Sequence, residues 1–114
     1  MNSYKIYQVR SEFLREYGFC SMREILWTHP GMLGLPREAW EQVYVYRTEK
    51  EPSLDWLYSL FNRGYEPEPG MATPEDFTGH SMSVSDIVET PDGKLWFCDS
   101  FGWREVQWAE EARA

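Results

Sequence analysis

Gly79-His80-Ser81-Met82-Ser83-Val84-Ser85-Asp86-Ile87-Val88, followed by Thr90-Pro91-Asp92-Gly93 and then Leu95-Trp96-Phe97-Cys98-Asp99-Ser100-Phe101-Gly102-Trp103, reads as two strands joined by a tight turn. Pro91 presets the first central φ of that turn, and Gly93 accepts a positive φ without steric cost. With Thr90 opposite Lys94, the pairing predicted from the turn runs Val88 to Trp96, Ile87 to Phe97, Asp86 to Cys98, Ser85 to Asp99, Val84 to Ser100 and Ser83 to Phe101. One face then carries Ile87, Leu95, Phe97 and Phe101, and the other Val84, Val88, Trp96 and Cys98. A hairpin apolar on both faces belongs in the middle of a sheet covered on both sides. The polar residues Ser83, Ser85, Asp86, Asp99 and Ser100 would sit inside this strand pair, where an unpaired buried polar group costs about 1–3 kcal/mol. They are expected to satisfy one another, with Ser85 bonded to Asp99 as a register lock.

Outward from the hairpin, Tyr4-Lys5-Ile6-Tyr7-Gln8-Val9 has the β-branched and aromatic alternation of a strand over 4–9, and 42–48 is a second. In the latter Val43 and Val45 face one way and Tyr44 and Tyr46 the other. With the valines inward, the tyrosines would form a stripe on the second face. After Gly102, strand alternation resumes over 103–107. Ser11 would cap a short helix over 12–17 that Gly18 closes. Ser21-Met22-Arg23-Glu24 has the spacing of a capping box, and Pro30 stops that helix by His29. The strongest helix spans 53–63, with Ser53 at its start, Leu54, Trp56, Leu57, Leu60 and Phe61 along one broad face, and Arg63-Gly64 at its end. The string 28–36, THPGMLGLP, is a loop, 65–77 is an irregular connection, and 109–114 is a frayed or briefly helical tail. The expected fold is α+β. A mostly antiparallel sheet of about five strands (4–9, 42–48, 82–89, 94–101, 103–107) carries the 53–63 helix on one face and short N-terminal helices.

The 114 residues fit one domain, 1–114. A formal net charge of -8, with 19 Asp and Glu against 11 Lys and Arg and no basic run, argues against a phosphate-tracking groove and therefore against nucleic acid. No run of about 18 apolar residues exists for a membrane span. Cys20 and Cys98 are the only cysteines, without metal-ligand spacing, and read as small hydrophobes in a reducing, cytoplasmic setting. Six Trp, seven Tyr and six Phe are more large rings than so small a core can enclose. Trp27, Trp40, Trp103, Trp108, Tyr44 and Tyr46 cannot all be interior on this reading, and surplus aromatics favour an interface.

The opening Tyr4–Val9 strand, Tyr44-Val45-Tyr46, the helix Leu54-Asp55-Trp56-Leu57-Tyr58-Ser59-Leu60-Phe61-Asn62 and above all Asp76-Phe77-Thr78-Gly79-His80-Ser81-Met82-Ser83-Val84-Ser85-Asp86-Ile87-Val88 with Cys98-Asp99-Ser100-Phe101-Gly102-Trp103 resemble the YodL-like family of small bacterial domains. The family pattern commonly has Leu at Met82, and Tyr or Val at Phe97 and Cys98; the polar positions are unchanged. The resemblance implies a cytoplasmic bacterial accessory module, associated with mobile elements, that binds another protein. It carries no catalytic residues.

Two functional readings follow. The first is a non-enzymatic protein-interaction or regulatory module, with His80, Trp103, Tyr44 and Tyr46 as binding residues and Ser83, Ser85, Asp86, Asp99 and Ser100 as a structural polar motif. An exposed sheet edge could also pair two copies into a homodimer. The alternative is a small hydrolase-like enzyme with His80 as base, a hairpin serine as nucleophile and Asp86 or Asp99 as orienter. A serine on a regular strand lacks the exposed elbow and oxyanion donors of such enzymes, which disfavours it. A metal at His80, Asp86 and Asp99 is disfavoured because the predicted register points the two carboxylates to opposite faces. No metal or cofactor is expected. His29 reads as a solvent-exposed turn residue.

Overall fold

The computed structural model describes residues 1–62, 74 and 77–112. Five strands, β1 (Asn2–Val9), β2 (Trp40–Thr48), β3 (Ile87–Glu89), β4 (Leu95–Cys98) and β5 (Trp103–Val106), form one antiparallel sheet in the order β2-β1-β3-β4-β5. The helices are α1 (Leu14–Tyr17), α2 (Met22–Thr28), α3 (Leu54–Leu60) and α4 (Ala109–Ala112), with 3-10 turns at Ser11–Phe13 and Arg37–Ala39. This is the expected α+β architecture, and the short β3 is its centre.

Alternation along the central strands divides the core in two. Tyr7, Ile87 and Phe97, which lie across from one another on β1, β3 and β4, point to the face covered by Tyr17, Met22, Ile25, Leu35, Trp40 and Trp108. Ile6 and Val88, also paired, point to the other face, where Leu57, Leu60 and Phe61 of the α3 region and Met82 close over them. Ile6, Ile87, Val88 and Phe97 are fully buried. Burying side chains of this size contributes roughly 1.5–3 kcal/mol each, so both layers hold the sheet.

Local chemistry fixes the helix starts. Ser21 accepts from the Glu24 N–H while the Glu24 carboxylate accepts from the Ser21 N–H, the predicted capping box. Ser53 accepts from the Trp56 N–H and lies just outside α3. α3 ends at Leu60, where the Phe61 N–H bonds to the Leu57 carbonyl, short of the expected end at 63; Arg63, Gly64 and most of the 65–77 connection lie outside the described residues. Ser11 does not cap; it opens the 3-10 turn behind Arg10. His29 is half-buried rather than exposed, its ring stacked on Tyr17 at 5.1 Å.

Two departures from simple alternation shape the molecule. In β2 the partner of Ile6 is Tyr44 but the partner of Tyr7 is Gln42, so Val43 is an extra residue in the strand. One inserted residue exchanges the faces. Trp40 therefore enters the first core layer, while Tyr46 enters the second, 2 % exposed and edge-on to Phe61 at 6.1 Å. The exposed tyrosine stripe is corrected accordingly: Tyr46 is interior, and Tyr44 packs edge-on against Phe61 and Phe77. The second departure is in the hairpin. Its register is as predicted through Asp86, whose carbonyl accepts from the Cys98 N–H at 2.8 Å, but β3 begins only at Ile87. Ser85 has φ +83, and the Asp86 N–H bonds back to the Ser83 carbonyl, so 83–86 is a turn and not the strand expected over 82–89.

Candidate functional site

The turn at 83–86 turns the polar motif into a sorting point for three parts of the chain. Ser85 does not meet Asp99: its hydroxyl accepts from the Phe19 N–H at 2.9 Å and its carbonyl from the Trp40 indole N–H at 2.8 Å. Asp99 instead accepts from the Met22 N–H at the start of α2 and from the Ser100 N–H. Ser83 donates its hydroxyl to the Ser81 carbonyl. The contacts of these residues tie the N-terminal helices to the sheet rather than one hairpin strand to the other.

Asp86 is fully buried. Its Oδ2 accepts from the Ser83 N–H at 2.9 Å and from Gln8 Nε2 at 3.1 Å; its Oδ1 has no hydrogen-bond partner and lies 3.9 Å from His80 Nε2. Burial pushes the carboxyl from 3.8 up to about 7, against the lowering effect of the Ser83 N–H, His80 and Gln8. Gln8, itself buried, also donates to the His80 carbonyl at 2.8 Å. His80 Nδ1 lies 2.7 Å from the Ser81 carbonyl oxygen and 3.3 Å from Gln8 Nε2; the shorter contact is to an acceptor only, which favours the hydrogen on Nδ1, and Nε2 faces the carboxylate. Both ring nitrogens are thus turned toward a carbonyl and a carboxylate, and neither toward a serine hydroxyl. The serine-nucleophile reading requires that contact.

Phe19 packs against the His80 ring at 5.2 Å and is 57 % exposed. Its backbone is left-handed, φ +59, rare for an aromatic residue. Leu14, Phe19, Val43, Gly79 and His80 line a groove of about 490 Å³ whose floor includes Gln8 and Val9 of β1. Gly79 is needed there because a Cβ would lie 2.5 Å from Gln8 Oε1 and 2.8 Å from the Phe77 ring.

The family model for the YodL-like domain matches residues 3–108, which include every element just described from Ser3 of β1 to the end of β5. The chain belongs to the YodL-like family. No curated protein and no solved structure matches it.

The four residues that the sequence singled out for binding do not converge in this YodL-like domain. His80 stands over Gln8 of β1, Tyr44 and Tyr46 lie in edge strand β2, and Trp103 begins the opposite edge strand β5, its indole N–H donating to Asp55 Oδ1 at 3.0 Å. Among the described residues no group of three or more His, Cys, Asp or Glu side chains is arranged to hold a metal ion. Cys98 is a buried thiol, pushed up to about 12 by desolvation and by Asp86, Asp99 and Asp55, and so is a poor nucleophile. No described helix is long and apolar enough to cross a membrane. Sequence reading missed Gln8 and Phe19. Gln8 had a signal, a long polar side chain amid the apolar alternation of β1. Phe19 had none, because its left-handed backbone depends on a partner 66 residues away.

Proposed function

We propose that this YodL-like domain is a non-catalytic bacterial interaction module, working in the cytoplasm in association with mobile elements, whose contact site is the groove between Phe19 and His80. The observation that carries this reading is the held exposure of Phe19. A large apolar side chain kept more than half exposed on an unfavourable backbone adds little to the stability of the free domain. Such local strain concentrates at binding sites, where it pre-organises a contact residue. The groove offers an aromatic face, aliphatic walls from Leu14 and Val43, and the polar groups of Gln8 and His80 for orientation. This composition suits an apolar side chain of another protein, and the net charge of -8 favours a neutral or basic surface around it.

The test is affinity capture from the source bacterium with wild type, Phe19→Ala, His80→Ala, Trp27→Ala and Trp103→Ala. Trp27 is 86 % exposed and is the control for mere stickiness. A protein retained by wild type, Trp27→Ala and Trp103→Ala but lost with Phe19→Ala supports the groove. Retention by Phe19→Ala of everything that wild type captures overturns it.

A further inference from the structure

We propose that His80 and Asp86 form a proton-operated latch that holds residues 78–83 down on β1, closed while one proton lies between the imidazole and the carboxylate and released when that proton is lost. The argument is one of hydrogen inventory. Gln8 spends its two amide hydrogens on the His80 carbonyl and on Asp86 Oδ2, and the Ser83 N–H also goes to Oδ2. Nothing remains for Oδ1, which is sealed from solvent and faces Nε2 at 3.9 Å. With Nδ1–H committed to the Ser81 carbonyl, a neutral imidazole presents its Nε2 lone pair to a carboxylate oxygen. That arrangement is repulsive, and a buried, unpaired carboxylate is costly. One proton, on Nε2 or on Oδ1, makes the same geometry attractive.

The titratable and charged groups around Asp86 are few. His80 meets it from the 78–83 segment, and the Cys98 thiol, whose own rise it helps to cause, from β4; Gln8 and Ser83 contribute neutral donors. Asp99 and Asp55 bear on Cys98 and add no positive charge that could replace the proton. The position of the carboxyl near neutrality puts its proton loss in a range that cells reach.

Met82 anchors the end of the segment in the second core layer, with its N–H on the Phe61 carbonyl at 3.4 Å, while Gly79 and His80 ahead of it line the Phe19 groove. Release of His80 would therefore change one wall of the groove. This consequence rests on the proposed binding site; the latch itself does not, and it is read in the free protein.

The test is NMR of the free domain between pH 5 and 8.5, following the Asp86 carboxyl carbon, the His80 ring and the intrinsic-rate-corrected exchange protection of amides 78–83. The expected result is proton loss from the Asp86 carboxyl near neutrality, with protection over 78–83 falling at least tenfold above that midpoint while β1 amides keep theirs. Asp86→Asn supplies an amide hydrogen to Nε2 at every pH and should abolish the pH response. His80→Ala, a change at an exposed side chain, should leave the segment loose throughout. Equal protection at pH 5 and 8.5 in wild type, or an unaltered pH response in both variants, overturns the latch. Loss of partner capture with an intact latch would bear on the binding proposal alone.

Discussion

The Phe19 N–H donates to the Ser85 hydroxyl at 2.9 Å, and both residues have left-handed backbones, φ +59 and +83. Each conformation costs about 1 kcal/mol or more for a residue with a side chain. They persist because the contact joins the segment between α1 and α2 to the turn before β3, where the Ser85 carbonyl is held by Trp40 and its N–H by the Cys98 carbonyl.

The two costs at Ser85 can be separated. Ser85→Ala keeps the backbone penalty and leaves the Phe19 N–H without its acceptor, so urea denaturation should show a loss of about 1–3 kcal/mol. Ser85→Gly loses the same bond but relieves the left-handed backbone, and should be more stable than Ser85→Ala by about 1 kcal/mol. Equal midpoints for the two would show that the turn is not strained.

Phe19→Gly sets stability against binding. The side chain is more than half exposed and the backbone favours glycine, so the variant should unfold within about 1 kcal/mol of wild type, in either direction. It should nonetheless lose the partner in the capture experiment. A large destabilisation with binding retained would make Phe19 a packing residue.

For pH dependence the sign follows from Asp86. Its carboxyl is raised in the folded state from 3.8 to about 7, so the folded protein holds the proton more tightly than the unfolded chain. The contribution is fully present below pH 3.8 and is lost as pH rises through about 7. Asp86→Asn removes that dependence. Chemical denaturation at pH 5 and pH 8 should find the stability difference between variant and wild type shifted in the variant's favour by about 1–3 kcal/mol at the higher pH.

Gly79→Ala tests the close approach of the 78–83 segment to β1. The added methyl would collide with Gln8 Oε1 and the Phe77 ring, so the buried Gln8 amide or the segment must shift and the Gln8 bonds to His80 and Asp86 weaken. A loss of about 1–3 kcal/mol is expected, together with amide shifts confined to 77–86 and the facing residues of β1. An unshifted spectrum would show that the segment has room.

Asp99→Ala removes the carboxylate that accepts from the Met22 N–H at the start of α2. Charge-assisted bonds of this kind are worth about 1.5–3 kcal/mol, and Ser21 with Glu24 still caps the helix. The thermal midpoint should fall, with Asp99→Asn recovering about half of the loss. No change would mean that α2 docks through Met22 and Ile25 alone.

Where folding rules act over a few residues, the sequence was sufficient. The Ser21–Glu24 capping box, the Ser53 cap and the Thr90–Gly93 turn use partners within four positions, and the turn carried the hairpin register as far as Asp86 opposite Cys98. Apolar residues on both faces of 87–88 likewise announced a central strand covered on two sides. Beyond Asp86 the same logic failed, because a strand continues only while its neighbour offers a ladder. Here the backbone of Ser85 is turned by Phe19 and Trp40, 66 and 45 residues away.

Tertiary packing alone decided the rest: the order β2-β1-β3-β4-β5, the extra Val43 that sends Trp40 and Tyr46 into different core layers, and the union of Gln8, Phe19, His80 and Asp86 at one place. Period-two patterning cannot register an inserted residue, since it assumes the alternation that a bulge interrupts. Nor can it isolate one carboxylate oxygen from water. For that, a β1 glutamine, a loop histidine and a turn serine must close around it, and only the folded chain brings them together.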